Sequence, residues 1–281
     1  MTPPPRPDTP RPDPPRRRLT LFAKGNLDLR DTLHSLWVDG EVRWNGINAL
    51  LREADAPLSI RVKHETSPRS EMLLAADGTI PAELAARDLP LDPHGLRVQF
   101  GTTLFTERPD AYVLSLQPDI QMPLALRRGG DYAFYPHGVE AWPPEQRQWL
   151  RDGFTLSRSI GIDESMANFH AIIARLRAAS DAPILVYNVS ALVPGESIHC
   201  YAGMEDLYST RIRRFNLALV ELSQQTGISI VDVDRVVATH GARALKFDTT
   251  HLNPAGCRAV AEEVLRVLLD HGLHDEGAWP R

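Results

Sequence analysis

Cysteine and long apolar runs are both scarce in this sequence. Its 281 residues include only two cysteines, Cys200 and Cys257. The amino-terminal end does not combine a charged start, an apolar stretch and a small-residue cleavage site, so we expect a reducing, cytoplasmic compartment. Because no run approaches the roughly 18 to 20 apolar residues of a membrane helix, we expect no membrane span.

An excess of positive charge is also missing. The formal net charge is -5, whereas surfaces that bind nucleic acid concentrate lysine and arginine, so nucleic acid is not an expected partner. Glycine-rich phosphate loops are absent, and no His or Cys pair at metal-binding spacing stands next to a third ligand. We therefore expect no cofactor and no metal, and a small molecule as the substrate. The oligomeric state is left open.

The first 18 residues differ from the rest of the chain because they are rich in proline. Proline fixes the backbone and removes amide donors, so this stretch predicts a disordered tail. The arginines at 16–18 could alternatively contact an acidic partner or lipid headgroups. A hydrophobic content of 43% suffices for one large domain, which we place at residues 19–272, before a short tail at 273–281.

Short apolar runs alternate with segments of helical periodicity from Leu19 onward. This alternation predicts an α/β fold, a three-layer α/β/α sandwich with a central parallel sheet of about five strands. Asn253 and Pro254 fit the start of the last helix, and Gly227 fits the C-cap of the helix before it. The predicted strands are Leu19 to Ala23, Leu58 to His64, Ala111 to Leu116, Pro183 to Asn188 and Ile228 to Val233, and the clearest helices are Ser165 to Ala179, Leu207 to Thr226 and Pro254 to His271.

Residues 120–162 form a less regular stretch, rich in Trp, Tyr, Pro and Gly, directly after the third predicted strand. Ligands of open α/β sheets bind at the carboxyl ends of the strands. An insertion at this point could form a lid or a wall that shapes the substrate site. A surface excursion that packs its own aromatic side chains is an equally good interpretation.

The segment from Asp248 to Gly256, Asp-Thr-Thr-His-Leu-Asn-Pro-Ala-Gly, carries the clearest chemical signal. A short loop before a capped helix can hold the imidazole of His251 over the strand ends. A carboxylate three residues earlier, Asp248, would fix the tautomer of the ring and stabilise its protonated form. His251 is then a candidate general base. The alternative is an aspartate that caps a turn beside an incidental histidine.

This segment, with the amphipathic helix that follows, resembles the final conserved block of the SGNH (GDSL-type) hydrolases. The similarity extends over about residues 19–271, and the order of helix, strand and acidic residues upstream of Asp248 agrees with it. It implies a flavodoxin-like three-layer fold, an esterase-class activity, and a base and orienting acid at His251 and Asp248.

The chain departs from the family pattern in its first block. In the family the first strand ends in Gly-Asp-Ser, and the serine attacks the acyl carbon. Here Gly25 matches, Asn26 replaces the aspartate, and Leu27 stands at the serine position. Leucine has no nucleophilic atom, so no acyl-enzyme can form at that side chain. The glycine of the second block is absent from residues 65–70, and the third block is best matched by residues 116–119.

Several polar residues could supply the missing chemistry. Asp28 could act as a carboxylate nucleophile or base, and Asn26 could donate a hydrogen bond to a developing negative charge; ordinary helix capping is the alternative for both. Gln117 or Asp119 could present polar atoms to the crevice. Ser67 and Ser70 could supply an oxygen, although loop serines often only form turns. The adjacent His199 and Cys200 are a weaker candidate pair, because neighbouring side chains usually point apart.

A substrate-binding set is predicted at the strand ends, comprising Lys24, Gly25, Ser67 and Arg69. With Arg30 and His64, the basic members could hold an anionic group, or they could form a solvated rim.

Three functions remain open. The first is a divergent hydrolase or acyl transferase for a small ester or an acylated saccharide or natural product, with a displaced nucleophile or water. The second is a noncatalytic binding protein, and the third is an acid–base enzyme that uses Asp28 and His251.

Overall fold

The computed structural model describes residues 17–130, 132–157, 159–192, 194 and 207–273. Residues 1–16 of the predicted proline-rich tail, the His199–Cys200 pair and residues 274–281 lie outside the described residues. Arg17 and Arg18, predicted as the end of that tail, instead begin a β-strand, because their backbones pair with the strand that starts at Leu58. No helix within the described ranges is both long and apolar enough to cross a membrane.

The described residues form strands and helices in alternation. The strands are β1 (Arg17–Lys24), β2 (Leu36–Val38), β3 (Glu41–Trp44), β4 (Leu58–Glu65), β5 (Ala111–Ser115), β6 (Leu124–Arg127), β7 (Ala133–Phe134), β8 (Phe154–Ser157), β9 (Ile184–Tyr187) and β10 (Ser229–Val231). The helices are α1 (Leu27–Leu33), α2 (Ile47–Glu53), α3 (Ser70–Ala75), α4 (Ala82–Ala85), α5 (Pro93–Phe100), α6 (Thr103–Thr106), α7 (Gln117–Gln121), α8 (Pro144–Gly153), α9 (Ile162–Arg177), α10 (Tyr208–Thr226), α11 (Val233–His240), α12 (Ala242–Leu245) and α13 (Pro254–Asp270), with a 3-10 turn at Val139–Ala141.

The central sheet has five parallel strands in the order β10-β9-β5-β1-β4. All five predicted strands are therefore confirmed, as is the three-layer α/β/α sandwich. Every residue of β5 is buried, because helices cover both faces of the sheet and a central parallel strand must be apolar on both sides. One face packs against α1, α2, α11 and α13, and the other packs against α3, α6, α9 and α10.

The three predicted helices are also present, with bounds that differ by a few residues. Asn253 caps α13 by accepting a hydrogen bond from the Gly256 amide at 2.9 Å, and Pro254 occupies the first turn. Gly227 ends α10 with φ of 68°, a conformation that glycine adopts without strain. The cap at Asn253 and Pro254 fixes where α13 starts. The candidate base, His251, lies in the turn directly before this helix.

The stretch at 120–162 is more regular than its sequence indicates. It contains a three-stranded antiparallel sheet in the order β7-β6-β8 and helix α8. Phe134, Trp142 and Phe154 of this stretch pack with Leu84 and Phe100 in a separate apolar cluster. The strands are two to four residues long, too short to show a clear alternation of apolar and polar residues, which explains why the sequence pattern missed them.

The β2–β3 hairpin is a second element that the sequence analysis did not identify. Its turn residues, Asp39 and Gly40, have φ of 51° and 78°, the paired positive values of a tight two-residue turn. The Trp44 indole donates to the Thr32 carbonyl at 2.9 Å and so joins the hairpin to the end of α1.

Candidate active site

Asp248 and His251 form a hydrogen-bonded pair on the turn before α13. The His251 Nδ1 atom lies 2.8 Å from Asp248 Oδ2, and the backbone amides of Thr250 and His251 each donate to Asp248 Oδ1 at 2.8 Å. With Nδ1–H donated to the carboxylate, Nε2 carries the lone pair. No hydrogen bond to another described residue uses Nε2. The His251 side chain is 47% exposed and the Asp248 side chain 54% exposed, so the pair faces solvent.

The carboxylate of this pair stays ionised over a wide pH range. Partial burial works against ionisation, but the hydrogen bonds from the His251 ring and from the His251 and Thr250 amides outweigh it and lower the pKa of Asp248 to about 2. An ionised partner holds the imidazole in one tautomer and stabilises the imidazolium that forms when Nε2 accepts a proton. The pair can therefore act as an oriented general base.

The turn at residues 246–253, called here the dyad turn, is closed by backbone contacts. The Phe247 amide donates to the His251 carbonyl at 2.9 Å, and the Asn253 amide donates to the Leu245 carbonyl at 2.9 Å. The first turn of α13 lies very close to the same carbonyl. A Cβ atom on Gly256 would come within 2.1 Å of the Leu245 oxygen, so only glycine allows this approach.

The loop after β1, residues 25–28 and called here the first-strand loop, is bonded to its neighbours. The Gly25 amide donates to the Glu65 carbonyl at 3.1 Å, and the Gly25 carbonyl lies 2.9 Å from His64 Nε2. Asn26 does not cap α1 with its side chain; its Oδ1 instead accepts from the Ser67 amide at 3.3 Å. Leu27 is 40% exposed.

Asp28 turns toward the interior between α1 and the sheet. The Ser115 hydroxyl donates to its carboxylate, and the Asn26 amide donates to it at 3.1 Å. Burial raises the pKa of Asp28 in spite of these hydrogen bonds. Nearby, the Tyr187 hydroxyl is buried without a hydrogen-bond partner among the described residues, and burial, followed by the charge of Asp28, raises its pKa.

Gln117 begins α7 at the carboxyl end of β5. Its backbone amide donates to the Ser115 hydroxyl at 3.0 Å, and the residue is only 6% exposed. Its side-chain amide makes no hydrogen bond with another described residue. Because β1 and β5 are neighbours in the sheet, Gln117 and Asn26 follow adjacent strands.

The predicted basic substrate contacts, Lys24 and Arg69, are engaged within the protein. Lys24 is buried and donates to Glu65 at 2.9 Å and to the Val98 carbonyl at 3.0 Å. Arg69 is 2% exposed and donates to Glu71 and, at 3.1 Å, to the hydroxyl of Ser157 on β8. Arg69 thus ties the loop after β4 to the small sheet. As substrate contacts, both residues remain predictions.

The serines of the loop after β4 are also committed to internal contacts. Ser67 is buried, and its hydroxyl donates to the Pro68 carbonyl at 2.8 Å. The Ser70 hydroxyl donates to Asp119 at 2.5 Å, and the Ser165 hydroxyl donates to the same oxygen at 2.6 Å. Burial raises the pKa of Asp119 to about 6. Through these hydrogen bonds, Asp119 of α7 joins α3 and α9.

Other candidate groups are less suited to chemistry. Cys257 is buried, and burial raises the pKa of its thiol to about 12, which disfavours the reactive thiolate. The described residues contain no group of three or more His, Cys, Asp or Glu side chains that could hold a metal ion. No hydrogen bond among them joins the dyad turn to the first-strand loop.

Three residues of this region were not identified from the sequence: Ser115, Tyr187 and Lys246. Ser115 and Tyr187 are the last residues of β5 and β9, and the rule that polar residues at strand ends approach the crevice could have found them. Lys246, which is buried at the start of the dyad turn, carries no such signal.

Comparison with solved structures agrees with the α/β fold described above. A point mutant of Axe2, an acetyl-xylooligosaccharide esterase from Geobacillus stearothermophilus, is 13% identical, matches 94% of this chain and 97% of its own, and has a TM-score of 0.50. The acetyl xylan esterase AlAXEase is 11% identical over 90% of this chain and 100% of its own, with a TM-score of 0.50. A provisionally assigned SGNH hydrolase from Slackia heliotrinireducens is 15% identical over 90% and 100%, with a TM-score of 0.47. No sequence-family model and no curated protein matches the chain.

Proposed function

We propose that this protein hydrolyses a small acyl ester, with His251 as general base, Asp248 as its orienting acid and water as the nucleophile. The observation that carries the proposal is the preformed Asp248–His251 pair, joined at 2.8 Å and half-exposed. A general base placed in this way contributes about a 100- to 10,000-fold rate increase.

Water takes the role of the nucleophile because the serine position holds Leu27. In the proposed step, the water oxygen bonds to the acyl carbon while its proton passes to His251 Nε2. The tetrahedral species then collapses, the bond to the alcohol oxygen breaks, and the same proton passes to that oxygen. An acid and an alcohol are released, and the base is regenerated. Asp248 stabilises the imidazolium between the two transfers.

Two amide groups are suited to stabilise the negative charge on the acyl oxygen. The Gln117 side chain has no partner among the described residues, although it is nearly buried. Asn26 Oδ1 accepts a hydrogen bond from the Ser67 amide, and its Nδ2–H group makes no hydrogen bond with another described residue, so it can donate to the acyl oxygen. Because they follow neighbouring strands, the two amides could converge on one oxygen. An oxyanion donor of this kind contributes about 2.7 to 4 kcal/mol.

An acylated saccharide is the substrate class that we favour. The solved structures with a TM-score of 0.50 are described as esterases of acetylated xylan or xylo-oligosaccharides. Leu27 and Phe247 are 40% and 53% exposed, one on the first-strand loop and the other on the dyad turn. Exposed apolar side chains on both loops suit an acyl group that packs between them.

The test compares the purified protein with H251A and D248N on a panel of acetylated xylo-oligosaccharides and simple acetyl esters. We expect each variant to lose about 100- to 10,000-fold in kcat/KM, because each removes the oriented base. H240A is the matched control, since His240 is an exposed histidine at the end of α11. Weak turnover of simple acetyl esters is expected. Undiminished activity of H251A would contradict the proposal.

A fluorophosphonate probe separates the water mechanism from a serine enzyme. The unmodified protein is expected to remain unlabelled while it turns over ester, since no serine stands at position 27. Stable labelling that disappears in H251A would reveal a covalent nucleophile elsewhere.

Noncatalytic binding is the second candidate, favoured by the loss of the serine and of the second-block glycine. Its signature is calorimetric binding of an acetylated xylo-oligosaccharide with no release of acetate. Acid–base chemistry by Asp28 is supported by its raised pKa, although Ser115 occupies its carboxylate.

A further inference from the structure

Lys246 is the first residue of the dyad turn, two residues before Asp248, and is only 5% exposed. Its ammonium group donates to the carbonyl of Leu192 at 2.8 Å and to that of Thr249 at 2.7 Å, with the Ser190 carbonyl at 3.5 Å. Thr249 belongs to the dyad turn, whereas Ser190 and Leu192 belong to the loop after β9. The ammonium therefore bridges the two loops.

The loop after β9 is itself anchored to the sheet. The Asn188 side chain donates to Asp232 at 2.8 Å and accepts from the Asp234 amide at 3.1 Å, and the Ala191 amide donates to Asp234 at 2.7 Å. The loop thus has a fixed position relative to β10 and α11. Through Lys246, that fixed position is passed on to the dyad turn.

The bridge depends on the charge of the lysine. A buried ammonium costs free energy unless its protons are all hydrogen-bonded, and here three carbonyl oxygens receive them. Among the described residues, no carboxylate is hydrogen-bonded to it; Asp248 and Asp234 act on it through their charges. Burial, opposed by these two carboxylates, lowers the pKa of Lys246 to about 8.

We propose that Lys246 is the positioning residue of the proposed base: its ammonium group bonds the turn that carries Asp248 and His251 to the loop after β9. The inference rests on the proposed function only for its effect on catalysis. The bridge itself does not depend on which reaction the site performs. Lys246 acts through the turn, without touching substrate.

A distinctive pH dependence follows. As the pH rises through about 8, Lys246 loses a proton and can no longer serve all three carbonyls, so the turn loosens and activity falls. The free energy of unfolding, in contrast, should rise over the same pH range. A lysine whose folded-state pKa lies below its ordinary value contributes more to stability as the pH rises from the folded toward the unfolded value. The titratable groups that face Lys246 among the described residues are Asp248 and Asp234, with His251 beyond Asp248.

The first experiment compares K246M with K63M in two measurements. Methionine fills a similar volume without charge. Lys63 is the control lysine; it lies on β4, at the opposite edge of the sheet from β10, and its ammonium group pairs with Glu107. We expect K246M to lower kcat by about ten- to a hundredfold, with little change in KM, because a displaced base costs that much. Amide hydrogen exchange at Phe247 and His251 should accelerate in K246M and not in K63M, while exchange at Val113 of β5 stays slow.

The second experiment restores the amine chemically. Because position 246 is buried, K246C in a C200S/C257S background is alkylated with bromoethylamine in denaturant and then refolded, which gives a thioether analogue of lysine at this position alone. We expect activity to return, with its alkaline limit at lower pH, because the sulfur makes the amine more acidic. Rescue without a shift would point to packing alone and overturn the proposal.

The two failures are distinguishable. If H251A keeps full activity, the proposed function fails, and exchange at Phe247 still tests Lys246. If H251A is inactive but K246M matches K63M in both kcat and exchange, the positioning role is overturned and the base remains.

Discussion

The dyad turn and the first-strand loop lie at the same end of one sheet but use their polar atoms differently. On the dyad turn, the Asp248–His251 pair is half-exposed. On the first-strand loop, Asn26 and Asp28 bond to Ser67 and Ser115, and the exposed side chain is leucine. The polar side chains of the dyad turn are therefore exposed to solvent, whereas those of the first-strand loop are hydrogen-bonded within the protein.

Restoring a serine at position 27 gives the sharpest test of this difference. L27S should react with a fluorophosphonate probe at least about 100-fold faster than any background labelling of the unmodified protein, because a general base activates a hydroxyl by at least that factor. Mass spectrometry would place the adduct on residue 27. L27A removes the same bulk without adding a hydroxyl, and H251A in the L27S background should abolish labelling. A folded L27S protein that stays unlabelled would show that the dyad turn does not face the first-strand loop.

The two loops also differ in how rigidly a glycine holds them. On the dyad side, a Cβ on Gly256 would meet the Leu245 backbone oxygen at 2.1 Å, which cannot move without unwinding the turn. G256A is expected to lower the free energy of unfolding by about 3 kcal/mol, measured by urea denaturation. G161A is the control, because its nearest contact, Glu164 Cβ at 4.0 Å, leaves room. Equal stability of the two variants would contradict this account.

On the first-strand loop the corresponding clash is softer. A Cβ on Gly25 would come within 2.5 Å of Leu29 Cδ1 and 2.9 Å of Ser115 Cβ, but the end of a leucine side chain can shift. G25A should therefore cost about 1 to 2 kcal/mol in unfolding free energy. In the double variant G25A/L29A, a favourable coupling energy should appear, because the clash partner is gone. A larger loss than in G256A, or the absence of coupling, would contradict the ranking.

The parts of the molecule that could be predicted from sequence are those whose signal is local. The five central strands are short apolar runs because both faces of the sheet are covered, and the dyad is visible because Asp248 and His251 are three residues apart in one turn. The Asp39-Gly40 pair at the β2–β3 turn is a local signal of the same kind, because this dipeptide favours a two-residue hairpin turn.

The parts that could not be predicted depend on contacts between distant residues. Asp119 accepts from Ser70 and Ser165, which are 49 and 46 residues away, and Lys246 reaches a carbonyl 54 residues away. No spacing rule connects such residues until the topology is known. The internal contacts of Lys24 and Arg69 are of the same kind, since Lys24 donates to Glu65, 41 residues away, and Arg69 donates to Ser157, 88 residues away; their role as substrate contacts stays a prediction.

The smallest expected effect concerns the internal carboxylate of the first-strand loop. Burial raises the pKa of Asp28, so the folded state binds its proton more tightly than the unfolded state, and this contribution to stability is lost as the pH rises above the ordinary aspartate value. D28N keeps the shape and the bond from Ser115 but carries no charge. We expect D28N to be more stable than the unmodified protein at neutral pH by about 1 kcal/mol or less, with the difference vanishing at acid pH. D152N, on the exposed end of α8, controls for the loss of one negative charge. Ester hydrolysis should survive in D28N, since the proposed base lies on the dyad turn. Loss of hydrolysis in a folded D28N protein would show that Asp28, on the first-strand loop, is required for the reaction and would contradict this account.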